Sequence, residues 1–289
     1  MLIPETCWDR IFQVAKLLRD TGVRVCAIPN IEIVRRSEIY KHNYFHKILA
    51  NNYFCQEIFQ KHLDIPCRYI GYACSDNKDI IDISHQKDIS REIKFLFIGG
   101  MNVFSRKNVT RVLKAFVRAF EKNKNIRLTV TIQKLNLLEQ DKRNILNQYL
   151  GHQAISIIQN HLTHEEIIDL YHTHHVFIQV SKHEGLGLGF YESISTNTPV
   201  ITLNTPPHNE IIHNNVNGWI IDCYYKPMTD NNEALFQSAY FRPNKLRDKI
   251  LEIALNPEII NTMITSLIQD KIQRHSSDVF GKIFLEEIN

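Results

Sequence analysis

The fold is decided by residues 176–203, which have the sequence VFIQVSKHEGLGLGFYESISTNTPVITL. An apolar run ends at Val180, a loop containing three glycines follows, and a helical pattern covers about 188–196. A second apolar run, 199–203, comes directly after that helix. A strand, a helix and a second strand at this spacing predict one unit of a parallel sheet.

The same alternation of strands and helices precedes this unit in the chain. Apolar runs predict strands at 93–98, 126–132 and 155–158, and helical periodicity predicts helices at about 108–121, 137–150 and 163–172. Thr163 and Glu166 begin the last of these helices with the pattern of a capping box. We therefore expect an α/β fold whose parallel strands all end on one edge of the sheet, where ligands bind.

The remaining segments carry weaker patterns. We predict helices at 8–20 and 52–62 and strands at 23–28, 48–50 and 68–70. The polar and charged segment 75–92 is typical of a linker, and residues 243–289 are mostly helical in pattern.

Composition narrows the classes of function. With 34 Lys and Arg against 31 Asp and Glu, the net charge of +3 is weaker than the basic excess typical of nucleic-acid-binding folds. No apolar run is long enough for a transmembrane segment, and residues 1–7 lack the features of a signal peptide. The six cysteines have no paired CxxC spacing, which predicts buried thiols in a reducing compartment and hence a cytoplasmic protein. Five histidines between residues 161 and 175 fit no compact ligand motif, so no metal site is predicted.

Two cations follow the glycines at the end of the predicted strand 93–98. Gly99 and Gly100 lead into a loop in which Arg106 and Lys107 stand just before the next helix. Cations beside the free N–H groups of a helix N-terminus can bind a diphosphate. Short patterns of glycine and basic residues also recur by chance, and taken alone this segment is more typical of a polar loop with two solvated cations.

Two carboxylates, Glu184 and Glu192, flank the glycines of the deciding stretch. One interpretation is a loop that only turns, with Glu192 on a solvated face of the helix. Three glycines beside a helix start cost backbone entropy, however, which favours a loop that approaches a ligand closely. Paired acids also occur in glycoside hydrolases, but an adjoining anion site favours transfer from a phosphorylated sugar. The next loop, 204–210, could form a wall of the sugar pocket, but its two prolines and Glu210 are more typical of a fixed turn and a helix cap.

These segments together resemble one enzyme family. The run 181–192 followed by Thr198-Pro199-Val200-Ile201 resembles the EX7E segment of retaining GT-B glycosyltransferases of the group-1, or family-four, type. The loop from Gly99 to Asn108 resembles the phosphate-binding loop of that family, although Met101 stands where many members have arginine. The resemblance covers about residues 93–222.

The resemblance implies a role for each carboxylate and cation. Glu184 would contact the hydroxyls of the donor sugar near the reacting carbon, and Glu192 would bind the ribose. Arg106 and Lys107 would hold the diphosphate and stabilise its leaving charge, so that no metal is needed.

Further donor contacts are implied around these groups. They are Gly99, Gly100, His161, Leu162, Gly185, Leu186, Gly187 and Leu188, with His161 and Leu162 bordering the base. The acceptor-side histidine of the family has no clear counterpart, since His42 and His46 stand in no motif.

The resemblance also implies two Rossmann-like lobes. We expect a reduced acceptor-side lobe at 1–90 that begins at or after its first helix, a donor domain at 91–275, and a helix at 276–289 that crosses back to the first lobe. The expected function is transfer of a sugar from a UDP- or GDP-linked donor to an acceptor hydroxyl, with no cofactor. The alternative is a non-catalytic nucleotide-sugar-binding protein, or one subunit of a composite enzyme whose partner meets the short lobe. A sheet edge exposed on that lobe would suit a second copy or another chain.

Overall fold

The computed structural model describes residues 1–6, 9–74, 87–100, 103–133, 139–227 and 233–288. Most of the predicted linker, the first residues of the predicted helix at 137–150, Cys7 and Met101 lie outside these ranges. The chain forms two lobes, as the resemblance implies, and each is built on a parallel sheet of the kind that the strand–helix alternation predicts.

The N-terminal lobe contains a four-stranded parallel sheet in the order β1-β2-β3-β4. Its elements are β1 (Leu2–Ile3), α1 (Asp9–Asp20), β2 (Cys26–Ala27), two 3-10 helices (Ile31–Ile33 and Ile39–Tyr44), β3 (Lys47–Ala50), α2 (Tyr53–His62) and β4 (Cys67–Tyr69). A two-residue strand that is too short to show periodicity precedes α1, and its Leu2 pairs with Cys26. The predicted strand 23–28 is only two residues long in the structure. On its N-terminal side, Val25 donates its N–H to the His46 imidazole rather than to a neighbouring strand.

The C-terminal lobe contains a six-stranded parallel sheet in the order β10-β9-β8-β5-β6-β7. Its sheet and intervening helices are β5 (Ile93–Ile98), α3 (Val109–Lys122), β6 (Ile126–Thr131), α4 (Gln140–Asn147), β7 (Ile155–Ile158), α5 (His164–Thr173), β8 (Val176–Gln179), α6 (Leu188–Ser195), β9 (Val200–Leu203), α7 (His208–Ile211) and β10 (Gly218–Ile221). Both bonds of the capping box before α5 are present, with Thr163 and Glu166 each bonded to the other's backbone N–H.

The end of the chain adds a hairpin and three helices. These are β11 (Tyr224–Lys226), β12 (Ser238–Tyr240), α8 (Pro243–Leu255), α9 (Glu258–Arg274) and α10 (Ser277–Ile288). The sequence patterns did not predict β10, β11 or β12, which are three or four residues long.

Helix α10 lies against the N-terminal lobe. Phe280, Phe284 and Ile288 pack on a small cluster of buried residues formed by Cys26, Leu49 and Ile70. The Lys47 ammonium donates a hydrogen bond of 2.5 Å to the carbonyl oxygen of Glu287. The last helix of the chain therefore covers the face of the first sheet with apolar side chains and fixes its own C-terminal end there.

Candidate functional site

The candidate site lies where the strand order of the larger sheet reverses. From β5 the chain proceeds to β6 and β7 on one side, whereas β8 begins the series that runs to β10 on the other. Hydrogen bonds to two backbone carbonyls help to join the loops that follow β5 and β8. Asn108 Nδ2 donates to the carbonyl of Val180 at 2.8 Å, and Lys182 N donates to the carbonyl of Arg106 at 2.8 Å. Doubly wound sheets bind their ligands at such a reversal.

Glu184 is the most buried charged group of the site, with 3% of its surface exposed. Lys107 Nζ donates to its Oε1 at 2.7 Å, and Arg106 forms a salt bridge with its Oε2. Gln179 Nε2 also donates to Oε1, at 2.9 Å. Burial alone would raise the pKa of Glu184, but Lys107 and Arg106 together lower it to about 2. The carboxylate is therefore ionised at neutral pH and fixes both cations around itself.

A second carboxylate enters the site from the N-terminal lobe. Glu32 lies in the 3-10 helix after β2, and its Oε1 accepts hydrogen bonds from Arg106 Nη1 at 2.8 Å and from Gly185 N at 2.5 Å. No sequence pattern indicated this residue, because it is one glutamate after a two-residue strand and its partners come from the other lobe.

Two glycines of the loop after β8 are required by its geometry. A Cβ at Gly185 would overlap the side chain of Asn30, because the N-terminal lobe approaches the loop there. The carbonyl of Gly185 also accepts a hydrogen bond of 2.6 Å from Asn52 Nδ2. Gly187 has φ = +76°, a left-handed conformation that favours glycine, and it is the N-cap of α6. The glycines thus bring the loop backbone against the other lobe and begin the helix that carries Glu192.

Two cavities meet at the cations. The larger, of about 490 Å³, lies between the lobes and is lined by Glu184, Glu32 and residues 185–189. The smaller, of about 220 Å³, lies in the C-terminal lobe and is lined by Glu192, Gly99 and Gly100. Arg106, Lys107 and Gly189 line both. A ligand that filled both cavities would therefore have to pass the two cations.

Glu192 is held by a buried tyrosine at the smaller cavity. Tyr171 donates its hydroxyl to Glu192 Oε2 at 3.1 Å. Burial, followed by the charge of Glu192, raises the pKa of Tyr171 well above its usual range. The phenol therefore keeps its proton and remains a donor, which fixes the carboxylate at the cavity wall.

Several buried polar atoms around the site have no hydrogen-bond partner among the described residues. They are Arg106 Nε, Ser181 Oγ, His183 Nδ1 and His208 Nε2. Burial of an unpaired polar atom is costly, so such atoms commonly mark the position of a ligand or an ordered water. Arg106 donates to Glu184 and Glu32 through Nη1, so its Nε is a second donor of the guanidinium that a ligand could use.

Other residues singled out by sequence lie away from the cavities. His161 is exposed, Leu162 is partly buried, and neither lines either cavity. His42 is packed in the core of the N-terminal lobe, where burial lowers its pKa to about 4, and its Nε2 lies 2.8 Å from Thr6 Oγ1. His46 accepts the N–H of Val25. Neither His42 nor His46 therefore lines the space between the lobes.

Glu210 caps a helix of the opposite lobe. Its carboxylate accepts the N–H groups of Tyr53 and Phe54 at 2.8 and 2.9 Å, at the N-terminus of α2. The expectation that Glu210 caps a short helix after it is therefore wrong, because Glu210 lies within α7 and its carboxylate binds the free N–H groups of α2. The loop 204–210 contributes to the junction of the lobes and lines neither cavity.

The histidines between residues 161 and 175 show no metal geometry. His174 bonds Leu170 O and Thr129 Oγ1, and His175 bonds Lys94 N and Asp88 O. Within the described ranges, no group of three or more His, Cys, Asp or Glu side chains is arranged to hold a metal ion. Of the described helices, none is both long and apolar enough to span a bilayer.

Comparisons with solved structures show the fold. The chain aligns with TarM at a TM-score of 0.73 and 13% identity, over 100% of this chain and 54% of that one. HepE from Anabaena, solved with UDP-glucose, aligns at a TM-score of 0.69 and 13% identity, over 99% of this chain and 78% of that one. The pneumococcal O-GlcNAc transferase GtfA, solved with UDP and GlcNAc, aligns at a TM-score of 0.66 and 15% identity, over 97% of this chain and 55% of that one. The chain thus spans about half the length of GtfA and TarM.

Sequence comparison places the chain in a family. A search of curated proteins gave no match. The family model of the group 1 glycosyl transferases, however, matches residues 79–255, which is more than half of the chain and includes Arg106, Lys107, Glu184 and Glu192. The chain therefore belongs to the group 1 glycosyl transferase family and has the two-lobed GT-B fold.

Proposed function

We propose that the protein is a retaining glycosyltransferase that moves a sugar from a UDP- or GDP-linked donor to an acceptor hydroxyl. The observation that supports this most strongly is the meeting of two cavities at Arg106 and Lys107, one carrying Glu184 and the other Glu192. A nucleotide sugar has the matching order of parts, with a nucleoside, a diphosphate and a sugar.

The donor would lie with its ribose at Glu192 and its diphosphate at the two cations. The carboxylate oxygens of Glu192 can accept hydrogen bonds from the ribose hydroxyls, and Tyr171 holds that carboxylate in place. Arg106 and Lys107 would stabilise the charge that develops on the diphosphate as its bond to the sugar breaks. Because they supply two positive charges at this position, we expect transfer without a divalent metal.

Glu184 would act at the sugar end of the donor. With its pKa at about 2 it stays ionised, so it can accept hydrogen bonds from sugar hydroxyls and stabilise positive charge at the anomeric carbon. Residues 186–188 line the same cavity and their N–H groups would contribute donors, whereas the N–H of Gly185 is already bonded to Glu32.

The test is a binding and turnover panel with UDP, GDP and their common sugar derivatives. Calorimetry with and without EDTA measures nucleotide affinity, and release of nucleoside diphosphate measures turnover. NMR of the product determines whether the anomeric configuration is kept. Failure to bind any nucleotide, or a product of inverted configuration, would refute the proposal. Binding without turnover would favour the alternative of a nucleotide-sugar-binding subunit.

Uridine nucleotides are the first donors to try. HepE was solved with UDP-glucose, and GtfA with UDP and GlcNAc. Whether this chain prefers uridine or guanosine depends on the contacts of the base. The resemblance assigns those contacts to His161 and Leu162, and neither residue lines the cavity at Glu192.

A further inference from the structure

Three cations surround one tyrosine on the hairpin that follows the larger sheet. Lys182 Nζ lies 5.1 Å and Lys226 Nζ 5.6 Å from the centroid of the Tyr240 ring. The guanidinium carbon of Arg111 lies 5.3 Å from the same centroid. None of the three cations forms an ion pair with a carboxylate of the described residues. Like charges this close repel one another, so an anion bound among them would stabilise the cluster.

Tyr224 adds a second ring to this cluster. It stacks on Tyr240 with the ring centroids 6.0 Å apart and the ring planes 24° from parallel, and Lys226 Nζ lies 5.9 Å from its centroid. Tyr224 is 37% exposed although it belongs to a strand. An exposed ring offers an apolar face on which the C–H face of a sugar can pack, and its hydroxyl can still form a hydrogen bond.

A cavity of about 460 Å³ adjoins Tyr224. Arg242 and Lys245 line it together with Asp222, the carboxylate that pairs with Lys245 at 3.1 Å. Arg242 forms no ion pair within the described ranges, so the excess charge of the cluster continues into this cavity. We call the whole the tyrosine–cation surface; its members are Arg111, Lys182, Tyr224, Lys226, Tyr240 and Arg242.

The tyrosine–cation surface is joined to the candidate site through the backbone. Ala239 N, in the strand that carries Tyr240, donates to the carbonyl of Lys182 at 2.7 Å. Lys182 N in turn donates to the carbonyl of Arg106 at 2.8 Å. The surface therefore begins at the two loops that carry the proposed diphosphate cations and Glu184, and a chain of sugars bound there could extend to the site.

We propose that the tyrosine–cation surface binds an anionic sugar chain. Its carboxylate or sulfate groups pair with the unpaired cations, and its rings pack on the two tyrosines. The assignment of this chain as part of the acceptor rests on the proposed transferase function, whereas its binding does not. Two features favour a sugar chain over nucleic acid or a bilayer. The net charge of the whole chain is only +3, and the cations lie beside stacked rings and a cavity.

The test is calorimetry without donor, at low and high salt. The ligands are tetragalacturonate, which carries carboxylates, a heparin-derived tetrasaccharide, which carries sulfates, and neutral maltotetraose. Tripolyphosphate, and phosphatidylcholine vesicles with about 30% phosphatidylglycerol, supply negative charge without a sugar chain. Wild type is compared with the double variant Lys182→Gln, Lys226→Gln. The matched control is Lys61→Gln, Lys122→Gln, which removes two exposed lysines on α2 and α3.

We expect wild type to bind an anionic tetrasaccharide at least about tenfold more tightly than maltotetraose, and more weakly at high salt. The Lys182 and Lys226 variant should lose about tenfold in that affinity, and the control should match wild type. Tyr224→Ala should weaken the tetrasaccharide by about threefold or more and leave tripolyphosphate unchanged. Every variant should keep the thermal midpoint and the nucleoside diphosphate affinity of wild type, because Lys182→Gln retains the backbone bonds to Arg106 and Ala239.

Each other outcome has a defined meaning. Equal affinity for anionic and neutral tetrasaccharides, or for wild type and the Lys182 and Lys226 variant, overturns the inference. Tripolyphosphate or vesicles that bind as tightly as the tetrasaccharides, or a Tyr224→Ala variant with wild-type affinity, overturn the assignment of a sugar chain. A wild type that binds the tetrasaccharide and no nucleotide removes the transferase function and leaves the surface in place. One that binds nucleotide and neither anionic tetrasaccharide does the reverse.

Discussion

The ion pairs of Glu184 predict a measurable, pH-dependent part of the protein's stability. A carboxyl group whose pKa falls from 4.5 in the unfolded chain to about 2 in the folded protein adds about 3 kcal/mol to the free energy of unfolding at neutral pH. Breaking a buried ion pair costs a similar amount, about 3–5 kcal/mol. Glu184→Gln keeps the shape of the side chain and removes its charge.

A change at Glu32 offsets part of the stability that Glu184→Gln removes. Burial and the charge of Glu184 raise the pKa of Glu32, so removing that charge makes the ionised form of Glu32 less costly. We therefore expect Glu184→Gln to lower the free energy of unfolding by about 2–3 kcal/mol at pH 7. As a control, Glu57→Gln, which alters an exposed glutamate on α2, should change the free energy of unfolding by less than about 0.5 kcal/mol.

The pH dependence follows from the sign of the shift in the pKa of Glu184. Because the folded value is depressed, the stabilisation is fully present above about pH 4.5 and is lost as the pH falls towards 2. Urea unfolding of wild type and Glu184→Gln at a series of pH values should show a difference that is largest near pH 7 and shrinks below pH 5. A difference that stays constant over this range, or no difference at pH 7, would refute the reasoning.

Three further experiments probe the proposed donor site and the lobe contact. Replacing Arg106 and Lys107 together with alanine should weaken nucleoside diphosphate binding by roughly 10- to 150-fold for each charge-assisted bond lost, as measured by calorimetry; unchanged affinity, or loss of wild-type binding on adding EDTA, would contradict this. Glu192→Ala should mainly weaken nucleotide binding and Glu184→Ala should mainly lower turnover, so equal effects on both quantities would show that the roles are misassigned. Deleting 277–289 exposes the apolar cluster under α10 and should reduce hydrogen-exchange protection in the N-terminal lobe more than in the C-terminal lobe; untouched protection would argue against a supporting role for α10.

The larger sheet could be predicted because its strands and helices are long enough to show a period. Helix α3 places Val112, Leu113 and Phe116 on one buried face, and β5 is six residues of mostly apolar chain. By contrast, β1 and β2 are two residues each, and they form only because each pairs with a neighbouring strand. An element that depends on tertiary contacts leaves no local pattern, so the N-terminal sheet was predicted in outline and its first strand was missed.

The same distinction separates the parts of the candidate site. Arg106, Lys107 and Glu184 stand in loops beside glycines, and the topology of a parallel sheet places those loops at one edge, so the amino-acid sequence is enough to predict their proximity. Their pairing with one another could not be predicted, because a loop sequence does not say which partner a charge will find. Glu210 shows this most directly: its sequence neighbours suggested a local cap, yet its carboxylate caps α2 in the other lobe. Glu32 is the corresponding case on the opposite wall, where one acidic residue acquires its partners only when the two lobes pack. The N-terminal wall of the site is therefore determined by contacts between lobes, and it is the part of the site that the sequence patterns could not specify.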